Sequence, residues 1–364
     1  MTTIKFAVFS DAHYKNGVYA AGISDLSSIL EGAKAANCSL VVQCGDLCND
    51  YIGSKAFIDT YLNSDISVYG VYGNHELECH NTISFVTPRL TNDSSVIWGT
   101  EDGKIGDRTT PYYHKDMGVF RFVFLDTNYS FNPELGEWEH NRTSSYGPPK
   151  GNLFGYSLGA KQFYWLEKLL ISSAKEGKKC ILVSHDSFTE EIGHGTAVGG
   201  TPDHVAIQQL FARVNAMKKG TVMMSINGHH HTNILLQKDN ILYFDVNAIR
   251  NCWWQRDKEP HYKEGQGQFT EEIDQNGNVT GRKWQNFSDL SMGSNTWFSD
   301  EPLSAIVTIT DEGEITIEGV TSKWAYGVRP EKALDNCLTI ISSGIFKLKL
   351  MSDKEPKDAF KPHF

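Results

Sequence analysis

The stretch Val41-Val42-Gln43-Cys44-Gly45-Asp46-Leu47-Cys48-Asn49-Asp50 decides the fold, because it predicts a buried strand that ends at a carboxylate. Leu40 to Gln43 suit such a strand, and Gly45 and Asp46 follow it without a basic residue nearby. In open α/β proteins, ligands bind at the carboxyl edge of the sheet. We therefore expect Asp46 to lie at such an edge, where polar blocks from other parts of the chain converge on it.

The pattern on either side of this strand predicts an α/β fold. A strand at residues 4–10, a helix at about 25–36 and the strand at 40–43 form a βαβ unit, which favours parallel pairing. Ser24 is the predicted N-cap of this helix. The other predicted elements are strands at 66–71, 180–183 and 221–226, helices at about 55–62, from Ser157 or Gly159 onward, and from the N-cap Thr201 to about Met217, and hairpins at 112–125, 234–245 and 305–318.

Five predicted strands end in polar residues whose side chains can bind metal ions. In chain order the blocks are Asp11 with His13, Asp46, Asn74 with His75, His185, and His229 with His231. Carboxylate, carboxamide and imidazole donors without a thiolate suit metals such as Mn, Fe, Zn, Co or Ni, but not a structural zinc site. In the last block, alternate side chains share one side of the chain. His229 and His231 can therefore face the site together while His230 points away.

Composition and charge exclude several classes of protein. The chain has 364 residues, of which 40% are hydrophobic and 21% charged, so it can bury a large core and disorder is not expected. A formal net charge of −10 argues against a nucleic-acid partner, which favours a basic face. No apolar run reaches the roughly 18 residues that a membrane span needs. Seven cysteines without a CxxC pair, and no secretory signal at the N-terminus, predict a reduced, cytoplasmic protein.

The order of the five blocks resembles the calcineurin-like metallophosphoesterase superfamily. Its motifs are D-x-H, GD-x-x-[D/N], GNH-[D/E], a lone His and GH-x-H. Here they stand as Asp11-Ala12-His13, Gly45-Asp46-Leu47-Cys48-Asn49, Gly73-Asn74-His75-Glu76, His185 and Gly228-His229-His230-His231. Each motif alone is weak evidence, but all five in this order, each after a predicted strand, make a specific match. The resemblance covers about residues 4–250, and the hairpin up to about 320 would complete the fold.

The resemblance implies a four-layer α/β/β/α sandwich of two mixed sheets. Residues 1–328 would form the catalytic domain, and residues 329–364 a C-terminal extension. Within the domain we expect loop insertions at about 128–156 and 251–302. The first is rich in Gly, Pro, Asn and aromatic residues, and the second is polar and rich in Gly and Trp.

The resemblance also implies a centre of two divalent or trivalent transition-metal ions (Mn, Fe, Zn or Ni). One ion would bind Asp11, His13, Asp46 and His231, and the other Asp46, Asn74, His185 and His229. Asp46 would bridge the ions, which would hold a hydroxide nucleophile. His75 would act at the leaving oxygen as a general acid or cationic stabiliser, and Glu76 would orient a ligand. The implied function is metal-dependent hydrolysis of a small soluble phosphomonoester or phosphodiester.

One departure from the motifs argues against the purple acid phosphatase subfamily. Two alternative functions stay open. Purple acid phosphatases have a tyrosine ligand three residues after the bridging Asp, where this chain has Asn49, so a purple iron–tyrosinate site is not expected. A nuclease is one alternative. A non-catalytic binding protein of the same fold is the other, although such relatives lose metal ligands and none is missing here. The oligomeric state is not predicted.

Four further residues can be interpreted in two ways. Asp126 follows a predicted strand, and we interpret it as a structural hydrogen-bond acceptor rather than a ligand. Arg250 either binds phosphate or forms a surface ion pair. Trp253 either packs in a core or forms an aromatic wall beside the site. His194 lies on a Gly-rich loop after His185 and is a candidate for substrate contact.

Overall fold

Twenty strands and five α-helices lie within the residues that the structure describes. The structure is a computed structural model, and it describes residues 1–14, 20–79, 81–100, 110–141, 151–192, 200–253, 261–274, 279–289, 296–320, 323–328 and 345–350. The helices are α1 (Ile23–Ala35), α2 (Lys55–Leu62), α3 (Ile83–Val86), α4 (Gly159–Glu176) and α5 (His204–Met217). The strands are β1 (Thr3–Phe9), β2 (Leu40–Gln43), β3 (Val68–Gly70), β4 (Ile97–Trp98), β5 (Tyr113–Met117), β6 (Phe120–Phe124), β7 (Tyr129–Asn132), β8 (Glu137–His140), β9 (Leu153–Ser157), β10 (Lys179–Val183), β11 (Val222–Asn227), β12 (Ile234–Lys238), β13 (Ile241–Asp245), β14 (Asn251–Trp253), β15 (Gly267–Ile273), β16 (Val279–Asn286), β17 (Thr296–Phe298), β18 (Ser304–Thr310), β19 (Glu314–Val320) and β20 (Ile345–Lys349). None of these helices has both the length and the hydropathy that a membrane crossing requires.

The first large sheet is mixed, with the strand order β20-β19-β18-β1-β2-β3. β1, β2 and β3 run parallel, as the βαβ pattern predicts, because α1 carries the chain back to the start of β2. β18 pairs antiparallel with β1, and β19 and β20 extend the sheet by antiparallel pairing. All four residues of β2 are buried, which is typical of a parallel strand covered on both faces.

The second large sheet is also mixed, with the strand order β12-β13-β11-β10-β6-β5-β4. Its four central strands, β6, β10, β11 and β13, run parallel. The outer strands β12, β5 and β4 pair antiparallel. The hairpins predicted at 112–125 and 234–245 are confirmed, since they form the pairs β5–β6 and β12–β13.

The two sheets pack face to face and carry helices on their outer sides. Phe6 of β1 and Phe122 of β6 meet edge to face across the interface, with ring centroids 5.1 Å apart. α1 buries Leu26 in the core around the first sheet, whereas α4 and α5 bury Leu166 and Phe211 against the second. Burial of each large apolar side chain contributes roughly 1.5–3 kcal/mol. The predicted four-layer α/β/β/α sandwich of two mixed sheets is therefore confirmed.

Two helices begin at residues other than those predicted. The N-cap of α1 is Gly22 rather than Ser24, because the Asp25 carboxylate accepts the Gly22 N–H at 2.8 Å and starts the helix at Ile23. α5 begins at His204 rather than directly after Thr201. The Thr201 carbonyl accepts the His204 N–H at 3.0 Å, so a separate turn precedes the helix.

The two segments predicted as loop insertions contain strands in the structure. Residues 128–156 include β7, β8 and most of β9, which form a three-stranded sheet in the order β8-β7-β9. Residues 251–302 include two antiparallel pairs, β14 with β17 and β15 with β16. β20 lies within the predicted extension 329–364 but forms the outer strand of the first sheet. The domain boundary at 328 stays a prediction.

Candidate metal centre

The carboxyl ends of strands from both large sheets meet at one edge of the sandwich, where they carry the polar blocks. Because β1 and β2 are parallel neighbours, Asp11 and Asp46 leave the first sheet side by side. The Asp11 N–H donates to the Gly45 carbonyl at 3.0 Å, and the His13 N–H donates to the Asp46 carbonyl at 2.9 Å. The second sheet supplies His185 directly after β10. The structure brings all seven predicted ligand residues together at this edge.

The ligand blocks share an unusual backbone conformation. Five of their residues have positive φ: Asp11 at 52°, His13 at 45°, Asp46 at 54°, His229 at 69° and His231 at 50°. Non-glycine residues are uncommon in this left-handed region, and each costs on the order of 1–3 kcal/mol unless its surroundings hold it there. Such strain is concentrated at functional sites, and here it falls on the residues whose side chains converge.

Two glycines of the motifs permit the loops to approach one another. Gly45 has a φ of 99°, and a Cβ at this position would overlap the His185 imidazole. A Cβ at Gly73 would overlap the Asp46 carboxylate. Glycine at these positions is therefore required by the packing of the three loops against each other.

The first donor cluster, site one, comprises Asp11, His13, Asp46 and His231. His13 Nε2 lies 3.0 Å from His231 Nε2 and 3.7 Å from Asp46 Oδ2. His231 Nε2 lies 3.3 Å from Asp11 Oδ1. All four side chains are at most 5% exposed. Donor atoms at these separations fit around one ion whose bonds to nitrogen and oxygen are roughly 2.0–2.2 Å long.

The second donor cluster, site two, comprises Asp46, Asn74, His185 and His229. His185 Nε2 lies 3.3 Å from Asp46 Oδ2 and 3.0 Å from Asn74 Oδ1. His229 Nδ1 lies 3.0 Å from Asn74 Oδ1 and 3.2 Å from His185 Nε2. Asn74 is partly exposed, and 21% of the His229 side chain is exposed. Asp46 Oδ2 belongs to both clusters.

In each carboxylate, one oxygen is held by the protein and the other faces the clusters. Asp46 Oδ1 accepts the His75 N–H at 2.8 Å, which leaves Oδ2 to face both sites. Asp11 Oδ2 accepts the His229 N–H at 3.0 Å and the Ser10 hydroxyl. Asp11 Oδ1 is buried and accepts no hydrogen bond from the described residues. A buried carboxylate oxygen without a donor is costly unless a cation faces it.

The surroundings of His185 fit a bound cation. Its Nδ1 donates to the Cys44 carbonyl at 2.8 Å, which directs Nε2 towards the centre. There Nε2 faces the oxygens of Asn74 and Asp46, both of which are acceptors. Burial opposes charge on this ring, but Asp46 outweighs it and holds the pKa of His185 well above its usual range. The position therefore attracts a proton or a metal ion, and the donor set fits the second.

The protonation states of other ligands also suit metal binding. Burial lowers the pKa of His13 to about 4 and that of His229 to about 3, so both rings are neutral at pH 7. Burial opposes charge on Asp11 as well, but His231 outweighs it and lowers the pKa of Asp11 to about 2. Neutral imidazole and ionised carboxylate are the states in which these groups bind metals.

His231 is held by two residues of the second insertion: Asn251, which no sequence motif indicated, and Trp253, for which an aromatic wall beside the site was one of two interpretations. Its Nδ1 donates to the side-chain carbonyl of Asn251 at 2.7 Å, which directs Nε2 into site one. The Trp253 ring stacks on the His231 ring with centroids 4.1 Å apart, so Trp253 packs against a ligand. Asn251 and Trp253 lie about 20 residues after His231, and only the fold brings them back to it.

Glu76 joins the two loops of the first sheet that carry ligands. Its carboxylate accepts the N–H groups of Asp46 at 3.0 Å, Leu47 at 2.6 Å and Gly73 at 2.6 Å. Burial and the Asp46 carboxylate raise the pKa of Glu76 to about 8, while these N–H donors oppose that shift. Glu76 therefore positions Asp46, the predicted shared ligand, through its backbone.

His75 lies at the edge of the centre, where it is partly accessible. Its Nε2 is 3.9 Å from Asp46 Oδ2, and 14% of its side chain is exposed. Its Nδ1 lies 3.0 Å from Glu78 Oε1. Burial lowers the pKa of His75, but Asp46 and Glu78 outweigh burial and raise it to about 9. Sequence reasoning missed Glu78, although its spacing of three residues from His75 was a signal.

The remaining residues singled out by sequence lie outside the donor clusters. Asp126 Oδ2 lies 2.7 Å from His140 Nε2 in a buried pair, which supports its interpretation as a structural acceptor. Arg250 Nη1 lies 3.5 Å from Asp25 Oδ1, which supports the ion-pair interpretation. His194 falls outside the described residues.

Comparison with known proteins places this centre in a familiar fold. A family model described as calcineurin-like phosphoesterase matches residues 4–233. The chain is similar to the solved structure of a dimetal phosphatase from Danio rerio, with 14% sequence identity and a TM-score of 0.53, over 88% of this chain and 98% of that chain. At this identity the likeness concerns the fold alone. A comparison with curated protein sequences gave no match.

Two further solved structures are similar over most of this chain at lower TM-scores. GAP50, described as the anchor in the inner membrane complex of Plasmodium, has 13% identity and a TM-score of 0.43, over 98% of this chain and 91% of that chain. The purple acid phosphatase PPD1 from yellow lupin (Lupinus luteus) seeds has 14% identity and a TM-score of 0.43, over 96% of this chain and 54% of that chain.

Proposed function

Because this chain belongs to the calcineurin-like phosphoesterase family and is a metallophosphoesterase, we propose that it hydrolyses a small phosphoric ester at a centre of two metal ions. The proposed ligands are Asp11, His13, Asp46 and His231 in site one and Asp46, Asn74, His185 and His229 in site two. The observation that carries the proposal is that both donor clusters contain the same atom, Asp46 Oδ2, which lies 3.7 Å from His13 Nε2 of site one and 3.3 Å from His185 Nε2 of site two.

The donor set restricts which ions fit. Nitrogen and oxygen donors without a thiolate favour Mn, Fe, Zn or Ni. Asn49 occupies the position at which a tyrosine would mark a purple phosphatase, and its side-chain amide contacts His75 and Glu78. When bound, the two ions would lower the pKa of a water and neutralise charge that develops on the phosphoryl oxygens.

Groups of the protein itself orient the proposed metal ligands and supply a proton. Asp46 and Asp11 each keep one oxygen on a backbone N–H, so their other oxygens stay fixed during turnover. His75 carries a proton at neutral pH, and Glu78 beside Nδ1 holds the ring so that Nε2 faces the centre. We assign His75 as the general acid that gives the Nε2 proton to the leaving oxygen.

The proposed substrate is a small phosphomonoester or phosphodiester. The net charge of −10 argues against a polyanionic nucleic acid as the main substrate. A cytoplasmic location stays part of this proposal, in agreement with four buried thiols at Cys44, Cys48, Cys180 and Cys252. A buried thiol is compatible with a reducing compartment.

A panel of phosphoesters tests this function. The protein is stripped of metal, reloaded with Mn, Zn, Fe or Ni, and assayed on p-nitrophenyl phosphate and bis-p-nitrophenyl phosphate, which share a leaving group. We expect turnover with at least one metal, loss on chelation and recovery on reloading; the ratio of the two rates defines the reaction class. A protein that binds two ions but cleaves no ester would instead support the binding-protein alternative.

A further inference from the structure

Tyr156 is placed beside site two by an irregularity in the small sheet of the first insertion. β9 pairs antiparallel with β7, with Ser157 opposite Tyr129 and Leu153 opposite Phe131. Three residues of β9 therefore lie opposite the single residue between Tyr129 and Phe131. A bulge of this kind re-aims a side chain, and bulges are over-represented next to active sites.

The backbone of Tyr156 is itself strained. Its φ is 62°, in the left-handed region, which is a true outlier for a bulky residue. Five proposed ligands share this feature, and five described residues away from the donor clusters share it as well: Asn37, Cys79, Asp239, Asn240 and Tyr326. Such strain persists where the surrounding structure holds it, and it is concentrated at functional sites. The bulge and the strained φ together indicate that the fold holds Tyr156 in one defined position.

The Tyr156 side chain packs against His229 of site two. The two rings lie 5.6 Å apart at a tilt of 45°, and 21% of the His229 side chain is exposed. Tyr156 is itself partly exposed. A tyrosine hydroxyl is protonated at neutral pH and can donate a hydrogen bond.

We propose that Tyr156 is a substrate-contacting residue whose hydroxyl donates a hydrogen bond to a phosphoryl oxygen of the bound ester next to His229. This inference rests on the proposed function and adds a residue that the five motifs do not contain. A donor fixed beside His229 would stabilise negative charge that builds up on the phosphoryl group.

The variant Tyr156→Phe tests the hydroxyl, because it keeps the ring against His229. We expect kcat/KM to fall roughly 10- to 100-fold, the range for loss of one hydrogen bond to a charged group. We expect the Kd of inorganic phosphate, measured by calorimetry on the Mn-loaded protein, to rise by a similar factor. Bound metal, measured by mass spectrometry, should not change. The control Tyr164→Phe removes a hydroxyl from a side chain that is 64% exposed on α4 and should leave every value unchanged.

Two results would overturn the proposal. If Tyr156→Phe keeps the wild-type kcat/KM and phosphate Kd, the hydroxyl does not contact the phosphoryl group. If it loses metal along with activity, Tyr156 positions His229 instead of binding substrate. If the wild-type protein cleaves no ester, the proposed function fails, and the phosphate titration still decides the role of Tyr156.

Discussion

Site one and site two share Asp46 Oδ2 but differ in their access to solvent. The four side chains of site one are at most 5% exposed, whereas in site two Asn74 is partly exposed and 21% of the His229 side chain is exposed. The closed site is suited to retaining an ion, and the open site is suited to admitting water and a phosphoryl oxygen. We therefore expect the two ions to differ in affinity and exchange rate.

The difference in solvent exposure has a structural cause: His231 and His229, the two histidines of the last motif, have different contacts. His231 has Asn251 on its Nδ1 at 2.7 Å and Trp253 on its face at 4.1 Å. His229 has Asp186 Oδ1 3.7 Å from its Nε2 and the Tyr156 ring 5.6 Å from its own ring. The second insertion therefore packs against His231 of site one, whereas Tyr156 of the first insertion contacts His229 of site two.

The largest expected effect is that of removing the shared ligand. Asp46→Ala should abolish binding of both ions and lower kcat/KM by at least roughly 10³-fold, because both sites lose the same oxygen. The two losses are measured as the metal content of the purified variant and its turnover of p-nitrophenyl phosphate. Asp65→Ala, which changes a side chain that is 89% exposed, is the control. Retention of one fully bound ion would contradict a shared donor.

The second-largest effect should distinguish site one from site two. His231→Ala should lower activity roughly 100- to 1,000-fold and also lower Tm, because it leaves Asn251 and Trp253 without their buried partner. His229→Ala should lower activity by a similar factor, lose only the ion in site two and leave Tm closer to that of the wild type. Metal content and calorimetry check both variants. Equal losses of Tm would contradict the contrast between a closed and an open site.

A smaller effect is expected when the hydrogen bond behind His231 is removed. Asn251→Leu should weaken metal binding in site one roughly 10- to 100-fold, since groups that orient a ligand contribute about this much. Asn251→Asp keeps an acceptor for the Nδ1–H and should bind metal nearly as tightly as the wild type. Competition with a chelating dye measures both affinities. If the leucine variant binds like the wild type, the bond does not orient His231.

The smallest expected effect is a difference between the rates at which the two ions are released. Excess EDTA should remove the ions in two phases, with the faster phase about tenfold quicker and equal to one ion per chain, because exposure opens site two to the chelator. With the chromogenic chelator 4-(2-pyridylazo)resorcinol in place of EDTA, the absorbance of its zinc complex in a stopped-flow assay resolves the phases. A single phase that releases both ions would show that the two sites are equally accessible.

The convergence of the polar blocks was predictable because strand periodicity and strand-end chemistry are local. Asp11, Asp46 and His185 follow apolar runs, and parallel pairing carries such ends to one edge. The long-range contacts were not predictable: Asn251 reaches His231 only through the pairing of β14 with β17. Tyr156 depends on a bulge that no residue type signals.

The first residue of a helix was also not predictable from residue type alone. Ser24 is a good N-cap by residue type, yet the Asp25 carboxylate binds the Gly22 N–H and starts α1 earlier. Residue preference therefore located the helix but not its first residue. Similarly, the composition of residues 128–156 and 251–302 indicated insertions but not the strands inside them.

Anomalous diffraction from crystals loaded with Mn or Zn tests the central claim most directly. We expect two peaks about 3.5–4 Å apart at the edge of the sandwich, with Asp46 Oδ2 between them. One peak should lie among Asp11, His13 and His231, and the other among Asn74, His185 and His229. A single peak, or two peaks that do not share Asp46, would contradict it.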